Sequence, residues 1–376
     1  MENKISRFDQ PPRHILALDG VRGFAAASVF IFHYGGGAKS SILPIRILGS
    51  IIHFGWAGVS LFFVLSGFLI SGILWDSFQR PNWWRRFYAR RSLRIFPLYY
   101  LAILITAITG LVLGASLKDL STIWVPALYL GNVPFVTSHF TYAPPGIHLE
   151  HFWSLAVEEQ FYLIWPFLLA LFASHRLRAK KLILILWTLS LVFRLSVIGL
   201  PHDDSWQTGF IFGRAGELLA GAYLAMVVRG ESLEREQLFR WSPMITCCSL
   251  VVLVLICIYS GGPELGAPLM ATVGLAACST FFAGIVGWAL RPGLCQSFFQ
   301  APFLRWLGKI SYGIYIYHLL FRTGYIWVAD RIGGGLGYNA RAILQFVVAA
   351  IATLAIASLS FYTFESFFLR SKDRLT

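Results

Sequence analysis

The chain has 376 residues, of which 57% are apolar, 16% aromatic and only 13% charged. Soluble domains carry about 25% charged residues, so this composition excludes an ordinary soluble fold and places the chain among integral membrane proteins. The net charge of +13 invites a nucleic-acid reading, but the basic residues sit in short segments between apolar runs, which is the distribution of a topology signal.

Apolar runs of about 18 to 25 residues, each long enough for a hydrocarbon core of roughly 30 Å, fall near 15 to 34, 55 to 75, 95 to 115, 152 to 173, 181 to 199, 207 to 228, 242 to 260, 266 to 290, 311 to 329 and 342 to 365. The fold class expected is an all-α polytopic membrane protein with about ten transmembrane helices. It forms one integral membrane domain over 1–376, with tails at 1–13 and 366–376 and its longest extracytoplasmic loop at 116–151. Alternate connecting segments hold 22 and 5 Lys and Arg residues, with Arg22, Arg194, Arg214 and Arg322 inside spans. That asymmetry predicts both termini in the cytoplasm. A cleaved signal peptide is not expected, because its apolar core would contain Asp19 and Arg22.

The first span, LALDGVRGFAAASVFIFHY, carries ionisable residues where they are costly and default to a functional reading. Arg22 and His33 are eleven residues apart, which returns to within about 20° of the same helix face with a rise of roughly 16 Å. The second span is rich in small residues, Gly58, Ser66, Gly67, Ser71 and Gly72, which let helices approach closely. After it comes RPNWWRRFYARRSLRIFP. Its six arginines read either as topology determinants and headgroup anchors or, through Arg91 and Arg94 three residues apart, as a clamp on a phosphate.

The loop 116–151 contains a Pro-Pro-Gly turn at 144–146 with His139, His148 and His151, and its length suits either a lid or a passive connection. The fourth span opens HFWSLAVEEQFYLIWP. His151, Ser154 and Glu158 share one face while Glu159 is turned by 100°, and adjacent carboxylates at this depth point to an internal cavity. Depth alone lets Glu158 meet His33 if spans one and four pack together. In the sixth span Arg214 and Glu217 have the i, i+3 spacing of a structural ion pair. The ninth, ISYGIYIYHLLFRTGYIW, carries Tyr312, Tyr315 and His318 as a polar aromatic stripe. Spans seven, eight and ten offer little beyond apolar packing.

The five cysteines show no metal-binding spacing and the histidines are scattered, so neither a zinc site nor a disulfide framework is expected. A GxSxG nucleophile elbow is absent, and no inverted repeat of the transporter kind is visible. General base chemistry fits better: a histidine accepts a proton near neutral pH, and a carboxylate orients it and stabilises the imidazolium. A transporter or flippase accounts for charges inside spans equally well, but it has no need of a phosphate-sized basic cluster. A mere membrane anchor leaves the buried histidine and carboxylates unexplained.

Six segments in order, LDGVRGFAAASVFIFHY, GVSLFFVLSGFLI, RRFYARRSLRIFPLYY, HFWSLAVEEQFYLIWPFLL, FGRAGELLAGAYLA and LGKISYGIYIYHLL, resemble the acyltransferase family 3 of bacterial membrane acyltransferases. The family's first-span Arg and His fall on Arg22 and His33, its Arg-x-x-Arg on Arg91 and Arg94, and its fourth-span carboxylates on Glu158 and Glu159. The resemblance implies transfer of an acyl group, usually acetyl, from cytosolic acyl-CoA to a hydroxyl of an envelope or exported glycan, including lipid-linked saccharides. A small-molecule acceptor is not excluded by the shared motifs. His33 would be the general base with Glu158 or Glu159 in support. Arg22, Arg91, Arg94, neighbouring Arg90 and Tyr315 would hold the donor. The setting implied is the bacterial cytoplasmic (inner) membrane, among lipids, with acyl-CoA as a substrate, no resident cofactor or metal and no nucleic acid. Some members carry a fused hydrolase-like domain; a stand-alone type is expected here.

Overall fold

The computed structural model describes residues 15–35, 43–137, 148–200 and 203–373. The basic tail 1–13, Lys39, His139 and the turn at 144–146 therefore lie outside the described residues. Among the described residues the fold is helical with no strand, as expected where every backbone group must be satisfied without water. The principal helices are α1 (Leu16–Tyr34), α2 (Leu43–His53), α3 (Gly58–Ser77), α4 (Trp83–Val112), α5 (Phe152–Ala170), α6 (Arg176–Ser196), α7 (Ile211–Val228), α8 (Ser232–Ser260), α9 (Leu275–Ala289), α10 (Pro302–Lys309), α11 (Ser311–Leu320), α12 (Arg322–Ile332) and α13 (Tyr338–Ser360).

Seven helical segments among the described residues are long and apolar enough to cross a membrane: Leu16–Tyr34, Pro44–Ser77, Trp83–Val112, Ser205–Val228, Ser232–Ser260, Met270–Ala289 and Tyr338–Ser371. The other three of the ten expected spans differ for separate physical reasons. In α5 the charge of Glu158 and Glu159 offsets an otherwise apolar run, and α6 carries Arg176, Arg178, Lys180, Lys181 and Arg194. The ninth expected span is broken at Phe321 into α11 and α12. A further difference lies in α4, which begins at Trp83 instead of near residue 95. Asn82 takes the left-handed conformation (φ 56°) just before it, a conformation Asn tolerates better than most residues. The arginines from Arg85 to Arg94 thus lie on the first turns of a helix, not in a loop.

The centre is assembled by backbone-to-backbone contacts. A Cβ placed on Gly67 of α3 would stand 1.8 Å from the carbonyl oxygen of Leu218 in α7, and one on Gly221 of α7 would stand 1.9 Å from that of Val64 in α3. A second pair joins α1 to α10, where a Cβ on Gly23 would meet Leu304 O at 2.0 Å and one on Gly308 would meet Asp19 O at 1.8 Å. Small residues in the second span therefore act in packing, as membrane helices without a hydrophobic driving force require. Not all do only that: Ser66 and Ser71 donate hydrogen bonds to Glu158 and accept one from Trp165, respectively.

Peripheral helices expose their apolar side chains. Val251, Leu255 and Ile258 of α8 and Ile343, Ile351 and Leu359 of α13 all face outward, a surface that fits lipid and not water. With the apolar segments above, this makes the chain a multi-pass membrane protein. The described part of the loop 116–151 contains three short helices, Leu117–Ser121, Trp124–Ala127 and Pro134–Thr137. It is tied down: Tyr99 donates to Pro126 O at 2.7 Å, and Asn132 and Gln160 exchange side-chain hydrogen bonds at 2.9 and 2.8 Å.

Candidate active site

A cavity opens between α1, α3, α4, α5 and α11. Arg22, Arg91, Arg94, Glu158 and Tyr315 line it, together with Ser66, Ser154 and Tyr312. Residues separated by almost 300 positions in sequence thus share one wall system. Arg90, expected among the donor-binding residues, does not line this cavity and faces outward. On α4, Arg91 and Arg94 are 300° apart in helical angle and so stand near one face, while Arg90 turns away.

The three cavity arginines are not equivalent. Arg91 Nη2 stands 3.9 Å from Glu158 Oε2 and its Nε 3.7 Å from Glu159 Oε1. Its guanidinium also lies 3.6 Å from the ring centroid of Tyr162. Glu158 accepts a 2.6 Å hydrogen bond from Ser66. Arg91 is therefore already balanced by two carboxylates and a π face. Arg94 has no carboxylate within 4 Å among the described residues. Arg22 itself is 3.9 Å from Asp19. Two cations facing one cavity with less counter-charge than they need form an anion-attracting mouth. The expected pair Arg91 and Arg94 is thus resolved into one arginine held by two carboxylates and one without a carboxylate within 4 Å, with Arg22 and its single partner Asp19 beside it.

The expectation that His33 meets Glu158 or Glu159 is not what the structure shows. The first helix packs on α3, α10 and α11, and α11 inserts its own histidine where the carboxylate was expected. The His33 and His318 ring centroids are 5.0 Å apart, and those of His318 and His151 are 5.1 Å apart. The orientation of His33 comes instead from its own helix: Nδ1 is 2.9 Å from Val29 O. A carbonyl can only accept, so Nδ1 carries the proton and Nε2 of the neutral ring is left as the acceptor.

The link from this histidine row to the cavity runs through Tyr315. Its ring lies 5.7 Å from that of His318 and 5.4 Å from that of His151. Its hydroxyl donates to His151 O at 2.9 Å and is in contact with Ser154 Oγ. His318 and His151 had been visible only as members of a stripe and of a helix face. The signal that would have united them is their shared spacing from tyrosine and serine on two helices that no local pattern relates.

Arg214 and Glu217 form the expected ion pair, at 3.1 Å, with both side chains buried. Ser60 joins them, donating to Glu217 Oε1 at 3.1 Å and accepting from Arg214 at 3.1 Å. Arg194 donates to Gly213 O at 2.7 Å beside them. Glu365, in a span that had seemed only apolar, is buried and accepts from Ser360 at 3.1 Å. A π-helical turn over Phe361–Glu365 shifts the helix phase by part of a turn and delivers it inward.

Comparison with known proteins follows this geometry. The chain is 30% identical over 392 residues to the putative peptidoglycan O-acetyltransferase YrhL of Bacillus subtilis (strain 168), covering 95% of this chain and 55% of that protein. It is 28% identical over 373 residues to the peptidoglycan O-acetyltransferase OatA of Listeria monocytogenes, covering 94% and 56%. It is 26% identical over 320 residues to O-acetyltransferase OatA of Staphylococcus aureus (strain NCTC 8325), covering 82% and 50%. The chain spans about half the length of these curated relatives. No solved structure matches it. The family described as Acyltransferase domain, Acyl_transf_3, matches residues 15–362, and the chain therefore belongs to that acyltransferase family.

Proposed function

We propose that the protein is a membrane O-acyltransferase that moves an acyl group, acetyl in the first instance, from acyl-CoA to a hydroxyl of a cell-wall glycan. The observation that carries this reading is the cavity: Arg22 and Arg94 open to an anion at one part of it, and Tyr315 connecting it to His33 and His318 at another. A phosphate-bearing donor suits two under-compensated guanidiniums. The acceptor class follows the named activities of the relatives in Bacillus and Listeria.

In this reading the chain crosses the bacterial cytoplasmic membrane ten times, counting α5, α6 and the broken α11 and α12, with both termini in the cytoplasm. The basic asymmetry supports that orientation. Residues 1–376 act as one domain. Acyl-CoA enters from the cytoplasm, its phosphates at Arg22 and Arg94. His33 Nε2 takes the proton from the acceptor hydroxyl as the oxygen attacks the acyl carbonyl carbon; the C–S bond breaks and the electron pair leaves with the CoA sulfur. In this reading the hydroxyl of Ser154 or Tyr315 turns away from the carbonyl of His151, to which both now donate, and donates to the oxyanion. Glu158 and Glu159 hold Arg91 in the wall.

The test uses protein reconstituted in liposomes with acetyl-CoA and cell-wall glycan fragments, reading released CoA and an acetyl-sized mass increase in the glycan. Wild type releases CoA only when glycan is present, and His33→Ala, inserted normally, does not. A His33→Ala protein with full transfer would sink the assignment of the base. Movement of glycan across the bilayer without CoA release would favour a transporter.

A further inference from the structure

We propose that Arg322, just past the break between α11 and α12, binds a carboxylate of the acceptor beside the hydroxyl that His33 activates, so that the protein selects an acidic glycan. This rests on the acyl-transfer reading and adds to it the chemical group by which the acceptor is recognised.

The break brings Arg322 to the end of α1 that carries His33. Helix α11 ends at Leu320, Phe321 leaves the helical conformation (φ −107°, ψ 19°), and α12 starts at Arg322. Rings on either side of this joint lock it onto α1: Phe321 and Tyr325 pack with Phe30 and Tyr34 in one aromatic cluster. Tyr34 also donates its hydroxyl to the carbonyl of His318. His33 adjoins Tyr34 in sequence, and its ring is 5.0 Å from that of His318, which stands about one helical turn before Arg322 in the chain.

Arg322 is half-buried, and among the described residues its guanidinium makes no hydrogen bond and no ion pair. Its N–H donors are left for water or for a ligand. The residue after it is taken up differently. His148 Nε2 is 3.2 Å from Thr323 Oγ1, and its Nδ1 is 3.3 Å from Glu150 Oε1. A carboxylate only accepts, so Nδ1 carries the proton and the threonine hydroxyl donates to Nε2 of the neutral ring. This bridge ties the segment before α5 to the first turn of α12 and keeps the exposed Glu150 in the same corner as Arg322. The ring of His151, the next residue, is 5.1 Å from that of His318, so the corner borders the histidines.

Opposite charges set around a general base sort its acceptors. A guanidinium presents a planar fork of donors that pairs with a carboxylate bidentately, while Glu150, which only accepts, suits a sugar hydroxyl. A phosphate monoester would bring a second negative charge toward Glu150 and is disfavoured, so the singly charged carboxylate is the group that fits. A glycan without an acid group would displace water from the guanidinium and give it no acceptor in return, which weakens binding. Arg322 holds the acceptor in this arrangement and takes no part in moving the proton.

The test uses the full chain in liposomes with acetyl-CoA and two acceptors: cell-wall glycan fragments whose sugar carboxyl groups are free, and the same fragments with those carboxyls converted to primary amides. Wild type is expected to use the amidated fragments roughly 10- to 100-fold less well in kcat/KM, the loss that follows from removing hydrogen bonds to a charged group. Arg322→Gln should use the acidic fragments about as poorly as the amidated ones, with KM for acetyl-CoA unchanged. Arg322→Lys, which keeps the charge without the fork, should restore part of the preference. Binding is read separately, without acetyl-CoA, as the rise in melting temperature that each fragment gives the protein in detergent. A preference for acidic fragments in that reading, lost in Arg322→Gln, together with no transfer by wild type would overturn acyl transfer and leave the recognition standing. Equal use and equal binding of the two acceptors by wild type overturn the proposal. So does an Arg322→Gln protein that loses activity on both fragments alike, the result expected of an arginine that only anchors lipid headgroups or the fold.

Discussion

Replacing Arg91 separates the two roles that the cavity arginines could share. Its nearest nitrogen–oxygen distances, 3.9 Å to Glu158 and 3.7 Å to Glu159, correspond to a gross attraction of about 4 kcal/mol each at an effective dielectric of 20. Desolvation of the guanidinium offsets much of that. Breaking a buried pair by removing one partner costs roughly 3–5 kcal/mol, because the charge left behind is uncompensated. Both distances exceed those of hydrogen bonds, so the lower end, about 3 kcal/mol, is expected for Arg91→Ala. The assay is thermal unfolding in detergent, followed by tryptophan fluorescence, with and without CoA. Arg91→Ala should melt several degrees below wild type, and adding Glu158→Gln and Glu159→Gln should recover most of the loss. An Arg91→Ala protein that melts like wild type and has lost only its response to CoA would refute the division made between Arg91 and the open pair.

Other outcomes follow from the same geometry. Arg94→Ala should keep the wild-type melting point yet bind CoA more weakly, with the deficit largest at low ionic strength where the charge attraction is least screened; isothermal titration at two salt concentrations reads this. Glu217→Gln strips the carboxylate from beside Arg214 and Arg194 and should cost roughly 3–5 kcal/mol. Arg214→Met combined with Glu217→Leu should lie much nearer wild type, both measured by thermal unfolding. Gly221→Leu would force α3 and α7 apart against a carbonyl now 1.9 Å from the new Cβ position. It should reduce folded yield from membranes and cost at least the 1–3 kcal/mol typical of overpacking, whereas the same change at Gly262, where an added Cβ meets nothing within 4 Å, should not.

Much of this architecture is written in local pattern. Apolar runs of membrane length and an i, i+3 spacing are properties of single segments, so the first span and the Arg214–Glu217 pair are legible without tertiary information. The six ordered motifs brought Arg22, Arg91, Arg94 and Glu158 forward, and the fold gathers all four around one cavity. The contacts of His33 were not legible in this way. Depth along a helix says which residues lie at the same height, and it brought Glu158 forward, whereas His318 stood out only as part of a stripe on the ninth span. Which of them touches His33 depends on which helix packs between, and α11 does. The inward turn of Glu365 was hidden because one extra residue per turn at 361–365 moves a side chain to a face that a regular 3.6-residue count assigns to lipid. The start of α4 was misplaced for the opposite reason: clustered arginines look like a loop when the carboxylates that hold one of them, Arg91, are on another helix.

The close contacts of Gly67 and Gly221, and of Gly23 and Gly308, have a bearing on what the cavity can admit. Helices touching through their main chains cannot draw apart by rotating side chains, so two sides of the cavity behave as fixed jaws of a gauge. On the proposed acyl-transfer reading, space for a longer acyl group has to come from trimming Phe62, Ile95 or Leu155, which line the cavity from α3, α4 and α5. The same reading makes chain-length preference adjustable by substitution at those three positions while the scaffold that sets the gauge stays unchanged.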